Sequence, residues 1–184
     1  MLWVLSGCAK DIAGIDPPRD IFFYPTGLRL SPSGRTLFVT NGNSDLRYNG
    51  STLMALDADR IHAMAGDPLS FSSCSADPGN PSEFLCPLDD ALIRTVVRLG
   101  SYAGHMVILP APDGSSMAYR LMVAVRGDPS LTLVDVYEDA EGRVTCLDCG
   151  AGCDASWPRD CNGSHKITQD DGLASDPFRI LTFD

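Results

Sequence analysis

Tyr24-Pro25-Thr26-Gly27-Leu28-Arg29-Leu30-Ser31-Pro32-Ser33-Gly34-Arg35-Thr36-Leu37-Phe38-Val39-Thr40-Asn41 is the stretch on which the reading of this chain turns. Leu28 and Leu30 alternate with Gly27 and Arg29 at a period of two, which predicts a strand. Ser31-Pro32-Ser33-Gly34 is turn chemistry, because proline presets φ and glycine accepts a positive one. Leu37-Phe38-Val39-Thr40 is rich in β-formers and predicts a second strand. Asn41 to Asp45 predicts another turn, and Thr52-Leu53-Met54-Ala55-Leu56-Asp57 a third strand. Asp57 and Gly66 bracket a short helix, as N-cap and terminator.

The pattern returns downstream. Ala103 to Pro110 parallels the first strand, Ala111-Pro112-Asp113-Gly114 its turn, Leu121 to Val125 the second strand, and Leu131 to Val136 the third. A third copy is expected to start at Asp176 and run to Asp184. Gly27, Gly104 and Arg179 lie 77 and 75 positions apart (104 − 27 and 179 − 104), and near-equal spacing points to internal repetition. The spacing exceeds the roughly 40–50 residues of a propeller blade, and the surplus falls in two loops, about 60–90 and 146–175. Those loops hold Cys74, Cys86, Cys146, Cys149, Cys153 and Cys161.

The run Pro25-Thr26-Gly27-Leu28, then Ser31-Pro32-Ser33-Gly34, then Leu37-Phe38-Val39-Thr40-Asn41 resembles the YVTN-type β-propeller repeat. The second copy follows it in outline, with Tyr102 where Pro25 sits and Ala124 and Val125 near the Val-Thr pair. The resemblance implies an all-β fold: antiparallel meander blades of an incomplete β-propeller, carrying long cysteine-containing loops. Blades are expected at about 24–60 and 91–146, with a third starting at 176–184. A propeller needs at least about four blades, so a fragment of a longer protein is expected. Members of the family include cell-surface binding proteins and related lactonase-type enzymes.

Leu5-Ser6-Gly7-Cys8 resembles the lipobox of bacterial lipoproteins. Small residues admit the signal peptidase, and the Cys8 thiol takes up the lipid, giving a membrane partner through an acyl anchor. Residues 1–8 would be a truncated signal, since the basic n-region and full apolar stretch are missing. Residues 9–23 read as a polar, proline-containing tether. Ala9 after the cysteine leans towards the outer membrane of a bacterial cell envelope.

The chain has 184 residues, 44% hydrophobic and 21% charged, ordinary values for a folded domain. A formal charge of −10 repels phosphate backbones and argues against a nucleic-acid partner. Six cysteines outside the lipobox suggest disulfides and an oxidising compartment. Cys74 and Cys86 bracket one loop and form the first pairing expected. Cys146, Cys149, Cys153 and Cys161 are expected to pair among themselves; four thiolates could also hold zinc, although intervals of three and seven residues are not those of a zinc ribbon. His62, His105 and His165 are scattered. No nucleophile elbow, P-loop or dinucleotide fingerprint occurs. Asp57 with Asp59, Asp89-Asp90 and Asp170-Asp171 are weighed as calcium ligands, without EF-hand spacing. No catalytic residue and no cofactor is assigned. The expectation is a non-enzymatic binding or scaffold module with a protein or glycan partner. The alternative is a lactonase-like or metal-dependent propeller enzyme.

Overall fold

Thr36–Asn41 and Ser51–Asp57 hold the side chains around which everything else is arranged: Phe38, Leu53, Met54 and Ala55 are wholly buried. In the computed structural model, which describes residues 14–66, 74–86, 91–161 and 163–168, these two strands are β2 and β3. β1 (Pro25–Leu30) pairs antiparallel with β2, and β2 with β3. The Ser-Pro-Ser-Gly turn closes the first hairpin. Gly34 takes φ +75°, its N–H donates to Ser31 O at 3.0 Å, and Ser31 Oγ accepts from Thr36 N at 3.1 Å. β3 runs into helix α1 (Ala58–Ala65), capped by Asp57, whose carboxylate accepts from Arg60 N, and ended at Gly66. A hairpin follows, β4 (Ser75–Asp77) with β5 (Asn80–Leu85), nearly all of it exposed.

The chain then returns to the first sheet. β6 (Ile93–Leu99) pairs with β3, completing the order β1-β2-β3-β6. The second blade was expected from about 91, yet residues 93–99 are the fourth strand of the first sheet. Their run of Ile, Thr and Val carries the β signal, and α1 with its hairpin is an insertion between strands three and four.

The second sheet is a meander of β7 (Ala103–Pro110), β8 (Tyr119–Val125), β9 (Ser130–Glu138) and β10 (Val144–Asp148). β11 (Lys166–Thr168) pairs with β9 at Ser130 to Thr132, while β10 pairs at Asp135 to Glu138, so two short strands share one edge of β9. Residues 146–148 and 166–168, expected within a loop, are thus strands. The third repeat expected at 176–184 lies outside the described residues.

The sheets stack like on like. β1 lies against β7, and β6 against β10. Between them Phe38, Leu53 and Val97 of the first sheet meet Tyr119, Leu121, Val123, Val134 and Val136 of the second. Each such side chain, taken fully from water, contributes about 1.5–3 kcal/mol. Phe38 and Tyr119 meet edge to face at 6.3 Å, and Tyr119 donates to Glu138 Oε1 at 2.7 Å. Burial, then the neighbouring carboxylate, pushes the Tyr119 phenol far above its ordinary value. Hydrogen bonds cross the seam: Thr26 Oγ1 to Ala103 O at 2.6 Å, Thr40 Oγ1 to Gly104 O at 2.9 Å, and Tyr102 N to Gly42 O at 2.8 Å. Val39, Met54, Leu56 and Val96 face the other side of the first sheet, with Ile61 of α1 and Trp157 beside them. Residues 14–23, expected as a tether, are laid along the fold: Asn49 N donates to Ile15 O at 2.9 Å, and Pro17 and Phe23 are buried.

Candidate functional site

The cysteines build one wall of the site. Cys74 is joined to Cys86, Cys146 to Cys153, and Cys149 to Cys161, so none of the six is a free thiolate for zinc. Cys8 lies outside the described residues. Cys74–Cys86 staples the exposed hairpin. The other two staple the segment after β10. Asp148 starts it by accepting from Gly150 N and Gly152 N, both at 2.8 Å, and each of those glycines has positive φ. Cys149 and Cys161 are buried between the sheets, whereas Trp157 lies with the apolar cluster on the far face of the first sheet. The segment therefore rounds the open edge of β6. It is tied there by Arg98 N to Arg159 O at 2.8 Å and a bridge between Arg98 and Asp160. The Arg98 guanidinium pairs with Asp160 and, at 2.5 Å, with Asp16; these partners hold its pKa above the ordinary value.

Between this wall and β6 lies a cavity of about 530 Å³. Arg19, Arg94 and Arg159 line it with Thr95, Thr145 and Trp157, and Asp20 is its one carboxylate. The three arginines differ in what they already hold. Arg94 is paired with Asp57. Burial opposes the charge on Asp57, but the Arg60 amide and the Arg94 guanidinium outweigh it and hold the carboxyl below its usual range. Arg159 donates to Cys153 O at 3.2 Å, Val96 O at 2.8 Å and Thr95 Oγ1, all neutral acceptors. Desolvation lowers its pKa, eased by the more distant charge of Asp148. Among the described residues neither Arg159 nor Arg19 has a carboxylate within ion-pair range. The sequence reading missed this site, because its three arginines come from three separated segments. The signal present was the basic residue beside the four-cysteine run, Arg159.

Elsewhere the chemistry is structural. An apolar groove of about 400 Å³ runs between β1 and α1, walled by Leu28, Leu37, Val39, Ile61 and Met64. His62 and His105 are exposed. His165 joins Ser164 at 3.0 Å to Asp135 at 3.2 Å, but Arg120 already holds Asp135 at 2.5 Å, so this chain pins β11 to β9. Asp57 caps α1, and Asp59 pairs with Arg35 at 2.8 Å. The Asp89-Asp90 and Asp170-Asp171 pairs lie outside the described residues. Among the described residues no three His, Cys, Asp or Glu side chains gather as a metal site, and no helix is long and apolar enough to cross a membrane. In comparisons with known proteins, no family model, no curated protein and no solved structure matches the chain.

Proposed function

We propose that this chain is part of a β-propeller-type lipoprotein of the bacterial cell envelope, anchored through Cys8 at the outer membrane and acting as a binding or scaffold module without catalysis of its own. The carrying observation is the stacking of two antiparallel sheets, β1-β2-β3-β6 and β7-β8-β9-β10 with β11 added beside β9, in which β1 lies beside β7 and β6 beside β10. Blades of a propeller meet in that way. Smaller features agree. Tyr24 and Tyr102, each just before a first strand, have φ of 51° and 59°. Each accepts from the residue after its second strand, Gly42 N at 2.8 Å and Arg126 N at 3.3 Å. Gly34 and Gly114 take the same φ of 75° in equivalent turns.

The second sheet leaves an apolar face for a further neighbour. Val107, opposite Met122, which is opposite Leu133, forms a row on it, and Val107 is 45% exposed. The seam between the sheets is made of Thr26 and Gly27 of β1, Thr40 of β2 and Gly104 of β7, joined by backbone and hydroxyl hydrogen bonds. The six disulfide-bonded cysteines fit an oxidising compartment. Peptide mass spectrometry of the protein from its own membrane fraction tests the anchor. The proposal expects an N-terminal Cys8 carrying diacylglycerol; an unmodified Cys8 in the mature protein overturns it.

A further inference from the structure

We propose that the cavity beside β6 binds a carboxylate-bearing sugar, an acidic saccharide of the uronic acid class, with Arg159 and Arg19 as the anion-binding groups and Trp157 as the ring platform. This goes beyond the module reading and does not depend on the propeller or the lipid anchor.

Charge is the first argument. Among the described residues three arginines and one aspartate line the cavity, and with Asp57 neutralising Arg94 the local balance is +1 (3 − 2), in a chain whose formal charge is −10. A cluster of that sign on an acidic protein focuses anions where the rest of the surface repels them. Spare hydrogen-bonding capacity is the second. Arg159 is half-buried, and it donates to the neutral oxygens of Cys153, Val96 and Thr95. A guanidinium has five donors in a planar fork that matches a carboxylate. Three go to these acceptors, which leaves two donors free and a charge whose nearest opposite, Asp148, lies beyond ion-pair range. A partly desolvated cation that faces only neutral acceptors gains most from an anion. Arg19 adds a second cation with no ion-pair partner among the described residues.

The remaining lining fits a sugar. Trp157 offers an apolar ring beside Ile93, and Thr95 and Thr145 bring hydroxyls. A cavity of about 530 Å³ lies within the range of small-ligand sites. Arg94 is committed to Asp57 and shapes the rim. Two disulfides hold the wall in place before any ligand arrives, so little ordering entropy is lost on binding.

The test is a nitrogen–proton NMR titration of the whole chain with D-glucuronate, D-glucose and inorganic sulfate. The indole signal of Trp157 is assigned by its persistence in Trp3→Phe. Glucuronate is expected to move it saturably, with glucose binding at least about tenfold more weakly. Arg19→Gln, an exposed residue outside the core, is expected to weaken glucuronate about two- to fivefold, the size of a partly exposed charge pair. Arg159→Lys is expected to weaken it further, because a point charge replaces the fork. No response of Trp157 to glucuronate at about 50 mM, or an equal response to glucose, overturns the site. Sulfate binding as tightly as glucuronate overturns the carboxylate assignment. An unchanged affinity in Arg19→Gln overturns its role even if Arg159→Lys fails to fold.

Discussion

Gly27 lies directly against the second sheet in the seam. A Cβ there would sit 2.7 Å from Gly104 O and 2.7 Å from Thr40 Oγ1, both fixed in the seam. Gly27→Ala is therefore expected to cost about 1–3 kcal/mol, read from denaturant unfolding. Gly104 holds the equivalent place on β7, and a Cβ there would meet nothing nearer than Ala124 O at 3.8 Å. Gly104→Ala should be neutral within about 0.5 kcal/mol in this chain. Equal costs at the two glycines would contradict the seam as described. Asp57 supplies a pH dependence. Its folded pKa lies below the ordinary value, so its contribution is complete above about pH 4 and is lost as pH falls through the lowered value. Asp57→Asn keeps the helix cap and should flatten the acid limb of the stability curve. Asp57→Ala should also lose the cap, costing about 1 kcal/mol more in thermal unfolding than Asp57→Asn.

The elements differ in how visible they were beforehand. β1, β2, β3, β7, β8 and β9 were legible because alternation and turn chemistry coincide there, and α1 because Asp57 and Gly66 bracket it. β6 was harder. Ile93 to Leu99 reads as a strand on its own, but nothing local says that it pairs with β3 across an inserted helix and hairpin. β11, of three residues, is defined only by its partner β9. The cavity was illegible for the same reason, since Arg19, Arg94 and Arg159 meet only after the chain rounds β6. The cystines were legible as a group, while the crossing order of Cys146–Cys153 and Cys149–Cys161 needs the fold. The Cys149–Cys161 link lies between the sheets, next to the outer strands. Its double serine variant should lose about 2–3 kcal/mol, which lowers Tm by about 5–10 °C in calorimetry. The Cys74–Cys86 link closes an exposed hairpin, and its double serine variant should shift Tm less. The reverse order would contradict the placement of these loops.

At the scale of the whole molecule, two sheets meet through a layer of buried apolar side chains and leave further apolar side chains on their far faces. On the first sheet α1 covers part of that face, and Leu28 stays 66% exposed. On the second, Val107 of the Val107, Met122 and Leu133 row is 45% exposed, and Met122 and Leu133 are half-buried. Apolar rows of this kind mark surfaces that other protein occupies. The direct measurement is electron cryomicroscopy of the protein purified from its own cells. The account predicts another four-stranded antiparallel meander seated on the Val107, Met122 and Leu133 row, its first strand beside β7 as β1 is, within a ring. A density map with that row in solvent, or covered by helix, would contradict it.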